Sequence, residues 1–201
     1  MKLVLPSRVY PVVDSAGWVE RMVASGAKLV QLRIKSDDGA LLRREIRAAR
    51  ALCEAAAATL VVNDHWQLAI EAGVGFIHLG QEDLAGADLD AIRGAGARLG
   101  VSTHSDAELT QALAVAPDYI ALGPIYPTTL KQMPWAPQGL ARIASWRQRI
   151  GAMPLVAIGG VTLERAEACL EAGADAVAAV SDIVASASPE ARLKAWRDRL
   201  D

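Results

Sequence analysis

The chain has 201 residues, 52% of them apolar and 22% charged, with a formal net charge of −2. That length suits one large domain, and that composition buries a full core, which excludes a disordered chain. The near-neutral balance, with no basic block or stripe, excludes a nucleic-acid partner, because binding a phosphate backbone needs clustered Lys and Arg.

In chain order, short β-rich apolar runs alternate with longer helical patterns. The predicted strands are Val9–Val13, Leu29–Leu32, Leu60–Val62, Phe76–Leu79, Arg98–Val101, Tyr119–Leu122, Leu155–Ile158 and Ala176–Val180. Between them, Leu42, Ile46, Ala49 and Cys53 share one helix face, as do Leu163, Ala166 and Leu170. Ser105 with Glu108 reads as a capping box, Ser188-Pro189 as a helix start, and Gly26 and Gly173 as helix stops. Strands alternating with helices imply parallel pairing through right-handed crossovers. Eight units predict an α/β fold, a closed (βα)8 TIM barrel forming a single catalytic domain over residues 1–201; the alternative is an open doubly wound sheet. The first strand starts so early that little chain precedes it to plug the bottom of the barrel.

Cys53 and Cys169 lie far apart within helical patterns and read as buried reduced thiols, and no CxxC pair signals zinc or redox chemistry. The opening residues lack a signal-peptide pattern, and no apolar run approaches the ~18 residues of a membrane span. The expectation is a soluble cytoplasmic protein with no membrane partner. Trp18, Trp146 and Trp196 fit either core or interface positions, so a homo-oligomer is compatible with the sequence.

In such a barrel the chemistry sits where strands end and βα loops begin. Alternate residues of an extended segment share a face, so Gln31, Arg33 and Lys35 point together. Two cations and an amide suit an anionic ligand such as a diphosphate; the competing reading is a solvated strand end. Asn63-Asp64 follows the third strand and Asp83 the fourth. The two aspartates can flank one hard cation, Mg2+, held together with substrate phosphates. Otherwise Asp64 caps the helix around Gln67–Glu71 and Asp83 is a turn residue. Ser102 offers a hydroxyl at the barrel top, and His104 is either a base or a polar surface group. The longest irregular loop, 123–139, carries Thr128 and Lys131 as phosphate donors. Gly159-Gly160 after the seventh strand and Val180-Ser181 after the eighth suit a monophosphate on backbone N–H groups; the bland reading is a tight turn.

The stretches VQLRIK, VVNDHWQLAIEAG, FIHLGQEDL, LGVSTHS, DYIALGPIYPTTLK, PLVAIGGVT and AGADAVAAVSDI occur in this order over residues 30–183. Together they resemble the thiamine phosphate synthase family. The resemblance implies a transferase that couples 4-amino-2-methyl-5-hydroxymethylpyrimidine diphosphate to 4-methyl-5-hydroxyethylthiazole phosphate, both small phosphorylated molecules. It assigns Gln31, Arg33, Lys35 and Asn63 to the pyrimidine diphosphate, and Asp64 and Asp83 to Mg2+. Ser102 would lie near the pyrimidine. Thr128 and Lys131 would grip the diphosphate, and Gly160, Val180 and Ser181 the thiazole phosphate. The implied reaction is a dissociative displacement, in which diphosphate leaves first and the thiazole nitrogen captures the cation. It asks for charge neutralisation rather than a nucleophile–base pair, and electrostatic help is expected from Arg33, Lys35, Lys131 and Ser102.

One position departs from the family pattern PTxTK: Leu130 stands where a hydroxyl is expected, with Thr129 beside it. A missing donor there would weaken leaving-group binding by roughly 1–3 kcal/mol. Two rival readings are a thiazole tautomerase of the same superfamily, with His104 as its base, and a non-catalytic binder of phosphorylated ligands.

Overall fold

The computed structural model describes residues 3–128 and 135–201. Eight strands pair in parallel and in chain order: β1 (Val9–Val13), β2 (Leu29–Leu32), β3 (Thr59–Asn63), β4 (Phe76–Leu79), β5 (Arg98–Thr103), β6 (Tyr119–Leu122), β7 (Leu155–Ile158) and β8 (Ala176–Ala179). Because β8 returns to β1, with Tyr10 opposite Ala178, the sheet is closed. Closure satisfies every strand edge internally, which an open sheet would leave exposed. The helices in order are α1 (Ala16–Ala24), α2 (Gly39–Ala55), α3 (Trp66–Glu71), α4 (Gln81–Ala85), α5 (Leu89–Gly94), α6 (Asp106–Ala114), α7 (Gly139–Ile150), α8 (Leu163–Glu171), α9 (Ser181–Val184) and α10 (Pro189–Leu200). None among the described residues is long and apolar enough to cross a membrane.

The alternation of side chains along each strand produces two cores. Outward-facing residues such as Val30, Val62, Ile77, Val101 and Ile120 pack against the helices, with Trp146 and Trp196 fully buried in that layer. Trp18 is only partly buried there, and the Arg21 guanidinium lies 3.9 Å from its ring centre. Inward-facing residues form a smaller cluster of Tyr10, Val12, Leu29, Val61, Phe76, Tyr119, Val156 and the alanines 121, 176 and 178. Two of these alanines, Ala121 on β6 and Ala178 on β8, leave interior volume near the top, where larger branched residues usually fill a barrel.

The helix signals hold with local differences. Leu42, Ile46, Ala49 and Cys53 are the buried stripe of α2. In α8, Leu163 and Ala166 are buried as expected, but Cys169 rather than Leu170 completes the stripe. Gly26 and Gly173 take positive φ just beyond α1 and α8. The Ser105 hydroxyl caps the Glu108 N–H, yet the Glu108 carboxylate accepts from the His104 N–H instead of closing the box on Ser105. The His104 imidazole draws it there, with Nδ1 2.8 Å from the same oxygen.

Other expectations need correcting. β3 and β5 run longer than predicted, and β8 ends at Ala179 because Val180 leaves the extended region (ψ −87°) to lead into α9. The bottom of the barrel is covered despite the short lead: Leu3 and Leu5 pack against the inner cluster. Asp201 fixes that lead segment, accepting from the Ser7 hydroxyl at 2.8 Å and the Arg8 N–H at 2.7 Å.

One glycine is required by the interior. His78, Gly100 and Tyr119 lie in register on β4, β5 and β6. A Cβ on Gly100 would lie 2.1 Å from two ring carbons of Tyr119. The missing side chain lets the Tyr119 ring lean across β5 towards His78. Gly100→Ala therefore overpacks a closed interior and should cost about 1–3 kcal/mol. The expected outcome is a Tm lower by roughly 2–10 °C in thermal unfolding, on the usual scaling for domains of this size.

Candidate active site

A cavity of about 620 Å³ opens at the C-terminal ends of the strands. Its floor is the inner cluster, with Tyr10, Val12, Tyr119, Ala121, Val156 and Ala178 contributing. Its wall includes Gln31, Arg33, Lys35, Asn63, Ser102, Thr128 and Val180, seven residues singled out from the sequence. Asp64, Asp83, Gly160 and Ser181 are not among the lining residues. Lys131 lies outside the described residues, with Thr129 and Leu130.

Gln31 and Asn63 are buried at strand ends, Gln31 within β2 and Asn63 as the last residue of β3. Arg33 and Lys35 follow β2, and the Arg33 N–H extends the sheet by bonding to the Val13 carbonyl at 2.7 Å. Among the described residues neither cation makes an ion pair, whereas most other arginines of the chain do. Two cations outside any ion pair at the rim of a cavity favour an anionic ligand.

Asp64 does not cap α3. The N-cap position falls on His65, whose side chain makes no capping bond and lies instead 3.0 Å from the Ile34 carbonyl through Nε2. Asp64 instead takes a left-handed backbone (φ 64°), fixed by its N–H to the His78 carbonyl at 2.9 Å and by its own carbonyl accepting from the Trp66 N–H at 2.7 Å. Such a conformation at a non-glycine residue is uncommon and gathers at functional sites. Nor is Asp83 a turn residue: it sits in the first turn of α4, which Gln81 anchors by donating to the Ser102 carbonyl at 2.6 Å. The two carboxyl groups share a hydrogen bond. Burial first, and then the neighbouring Asp83 charge, pushes the Asp64 carboxyl above its ordinary range, with Arg33 opposing. Two neighbouring oxygen-donor groups, one of them disfavoured as a charged carboxylate by the other, suit a hard divalent cation.

Three residues of the interior went unrecognised from the sequence: Tyr10, His78 and Tyr119. They form a continuous hydrogen-bonded chain. Gln31 Nε2 donates to the Tyr10 hydroxyl at 3.0 Å, and the Tyr10 and Tyr119 hydroxyls are 3.1 Å apart. The Tyr119 hydroxyl lies 2.7 Å from His78 Nδ1, and His78 Nε2 lies 2.7 Å from the Ser102 hydroxyl. Burial, reinforced by Arg33 and His104, holds the His78 imidazolium down to about 3, so the ring is neutral. Burial raises both tyrosines, so they stay protonated. The available signal was a lone polar residue inside each apolar strand, at Tyr10, His78 and Tyr119. Asp14, exposed at the end of β1, also lines the cavity and was missed.

His104 lines the cavity but is engaged. Its Nδ1 bonds to Glu108, and its ring stacks on Trp135 with centroids 5.8 Å apart and planes 7° from parallel. The two glycines after β7 are crowded rather than open. A Cβ on Gly159 would lie 2.6 Å from the Pro124 Cα, and one on Gly160 would lie 2.4 Å from the Pro127 carbonyl oxygen. Their positive φ values and the packing of 124–127 against them are enough to require glycine.

A closed (βα)8 barrel with cations, a carboxylate pair and buried amides gathered at its C-terminal mouth defines a barrel enzyme whose site lies in the βα loops. Residues 3–183 match the family model described as thiamine monophosphate synthase. A thiamine-phosphate synthase of Rhizobium etli is 62% identical over 187 residues, covering 93% of this chain and 92% of that protein. One of Neisseria meningitidis serogroup A is 52% identical over 192 residues, covering 96% and 94%. Among solved structures, thiamine phosphate pyrophosphorylase from Pyrococcus furiosus superposes with a TM-score of 0.84 at 22% identity, over 95% of this chain and 94% of that one, which shows the shared fold. The chain belongs to the thiamine monophosphate synthase family.

The Asp64–Asp83 contact has a measurable signature. A carboxyl raised above its ordinary value holds its proton longer in the folded state. The stability linked to it is therefore present at low pH and lost as pH climbs through the raised value. In EDTA at pH 7, Asp64→Asn, which tolerates the left-handed backbone, should be more stable than the wild type by about 1 kcal/mol. The difference should shrink towards zero below about pH 4. Urea denaturation at both pH values checks this.

Proposed function

We propose that the chain joins 4-amino-2-methyl-5-hydroxymethylpyrimidine diphosphate to 4-methyl-5-hydroxyethylthiazole phosphate, releasing thiamine phosphate and diphosphate. The observation that carries the reading is the Asp64–Asp83 carboxyl pair with Arg33 acting on it, next to a cavity that Arg33 and Lys35 line above neutral polar groups. A family member with this set has what a diphosphate leaving group needs and little that a proton-transfer enzyme needs. The two free, buried cysteines suit work in a reducing cytoplasm.

Asp64 and Asp83 are the residues that would hold Mg2+. Their hard oxygen donors and mutual repulsion fit that ion, which neutralises leaving-group charge when bound. Arg33 and Lys35 receive the diphosphate, with Thr128 on the loop after β6 as a further donor. Negative charge grows on the departing oxygen as the C–O bond lengthens, and fixed cations there stabilise that change more than the ground state. Gln31, Asn63 and Ser102 hold the pyrimidine over the cavity floor, and the apolar lining of Val12, Ile34, Val156 and Ile158 keeps water from the pyrimidine-methyl cation. Gly160, Val180 and Ser181 take the thiazole phosphate, which sets the thiazole nitrogen over that carbon. The rival base, His104, is tied to Glu108 and stacked on Trp135, so a tautomerase draws no support from it.

The test follows diphosphate release and thiamine phosphate formation from the two substrates with Mg2+. Wild-type turnover should disappear with EDTA, and Asp83→Ala should lower kcat/KM by about a hundredfold or more. Well-folded wild type that binds the thiazole phosphate but makes no product would overturn the reading.

A further inference from the structure

The interior of this barrel contains a polar chain of which the reaction just described uses only the two ends, Gln31 and Ser102, and not the three residues that join them. Five side chains from five strands, Gln31, Tyr10, Tyr119, His78 and Ser102, are linked end to end by contacts of 2.7–3.1 Å. The first four are buried. Buried polar groups cost stability unless matched, so a chain of this length in a barrel core calls for a purpose. Gly100 supports that view, since only a residue without Cβ lets the Tyr119 ring reach His78.

We propose that this chain is a one-way hydrogen-bond relay, with its direction set by the Gln31 amide, that turns the Ser102 hydroxyl hydrogen outward as a donor to the ligand.

Counting hydrogens gives the direction. The Gln31 amide nitrogen can only donate, so the Tyr10 oxygen accepts from it. Tyr10 is fully enclosed, and its own hydrogen has one acceptor at hand, the Tyr119 oxygen. Tyr119 passes its hydrogen to His78 Nδ1. A neutral imidazole with Nδ1 accepting carries its single hydrogen on Nε2, which donates to the Ser102 oxygen. The Ser102 hydrogen is then left for the cavity that Ser102 lines. In the opposite sense the Tyr10 oxygen would accept twice and its hydrogen would be buried without an acceptor, the more costly arrangement.

Ser102 thus presents a donor, and the ring it faces must offer an acceptor, such as the nitrogen of a heteroaromatic ring. Tyr10, Tyr119 and His78 are positioning residues that act through Ser102. The relay puts no charge beneath the pyrimidine, where a cation is to form. The consequence for substrate rests on the proposed reaction, but the direction of the relay does not.

The experiment has two parts. Nitrogen-15 NMR of histidine-labelled wild type reads the tautomer of His78, assigned against His65→Gln and His104→Gln, the chain's other two histidines. The Nε2–H form is expected, and the Nδ1–H form would overturn the proposal. In kinetics, Tyr119→Phe should raise KM for the pyrimidine substrate about tenfold, leave KM for the thiazole phosphate unchanged, and have no further effect in a Ser102→Ala background. An equal effect of Tyr119→Phe in both backgrounds would show a merely structural tyrosine and overturn it. Should Tyr119→Phe fail to fold, Tyr10→Phe takes its place in the same cycle. An inactive protein with the Nε2–H tautomer would sink the proposed reaction and support the relay.

Discussion

A closed parallel barrel of eight strands has little interior space, and every group placed there is cut off from water. The site depends on how this chain divides that space. Large residues on β4 and β6, Phe76 and Tyr119, fill part of it, while Ala121 on β6 and Ala178 on β8 line the open part. The floor of the cavity is therefore a product of the strand sequences, and the loops supply part of its wall. Because four of the five side chains from Gln31 to Ser102 are buried, their hydrogen bonds face little competition from solvent.

The rim follows a different logic. Charge there is exposed to solvent on one side and unbalanced on the other. Arg33 and Lys35 make no ion pair among the described residues, while Asp64 and Asp83 lean on each other with Arg33 near enough to oppose them. Elsewhere the chain pairs its charges readily: Arg192 alone bridges Asp182 and Glu164, and Asp106 takes Arg142 and Arg149. Two carboxyl groups in contact and two cations without an ion pair thus meet at the mouth. A surface that leaves charge unbalanced in one place gives up stability there, and this is the place where a charged ligand and its counter-ion would restore it.

The fold was legible because it rests on periodicity. Eight apolar runs and the helix stripes between them were enough to place each strand within two residues of its final ends. The rim was legible because cations and acids at strand ends are chemically conspicuous. The floor was not. Tyr10, His78 and Tyr119 each look like a minor irregularity in an apolar strand, and nothing local says that their polar atoms meet. Their meeting depends on strand register, which places His78, Gly100 and Tyr119 side by side, and on barrel closure, which brings Tyr10 across from β1. Asp64 was legible as an acid but not as a left-handed residue, because that conformation is imposed by the carbonyl of His78 on the neighbouring strand.

The glycines after β7 have a wider consequence. The segment after β6 continues the sheet, with the Ile125 and Tyr126 N–H groups bonded to the carbonyls of Ile158 and Gly159, and it presses on Gly159 and Gly160 with no room for a methyl group. Two loops on adjacent strands are thereby welded into a single jaw. The stretch leading to Thr128 and the stretch leading into α8 keep a fixed spacing, like the faces of a caliper set to one gauge. Whatever ligands this mouth accepts, the distance between their anionic groups is measured by backbone rather than by side chains, so changing that gauge would take a new loop rather than a new residue.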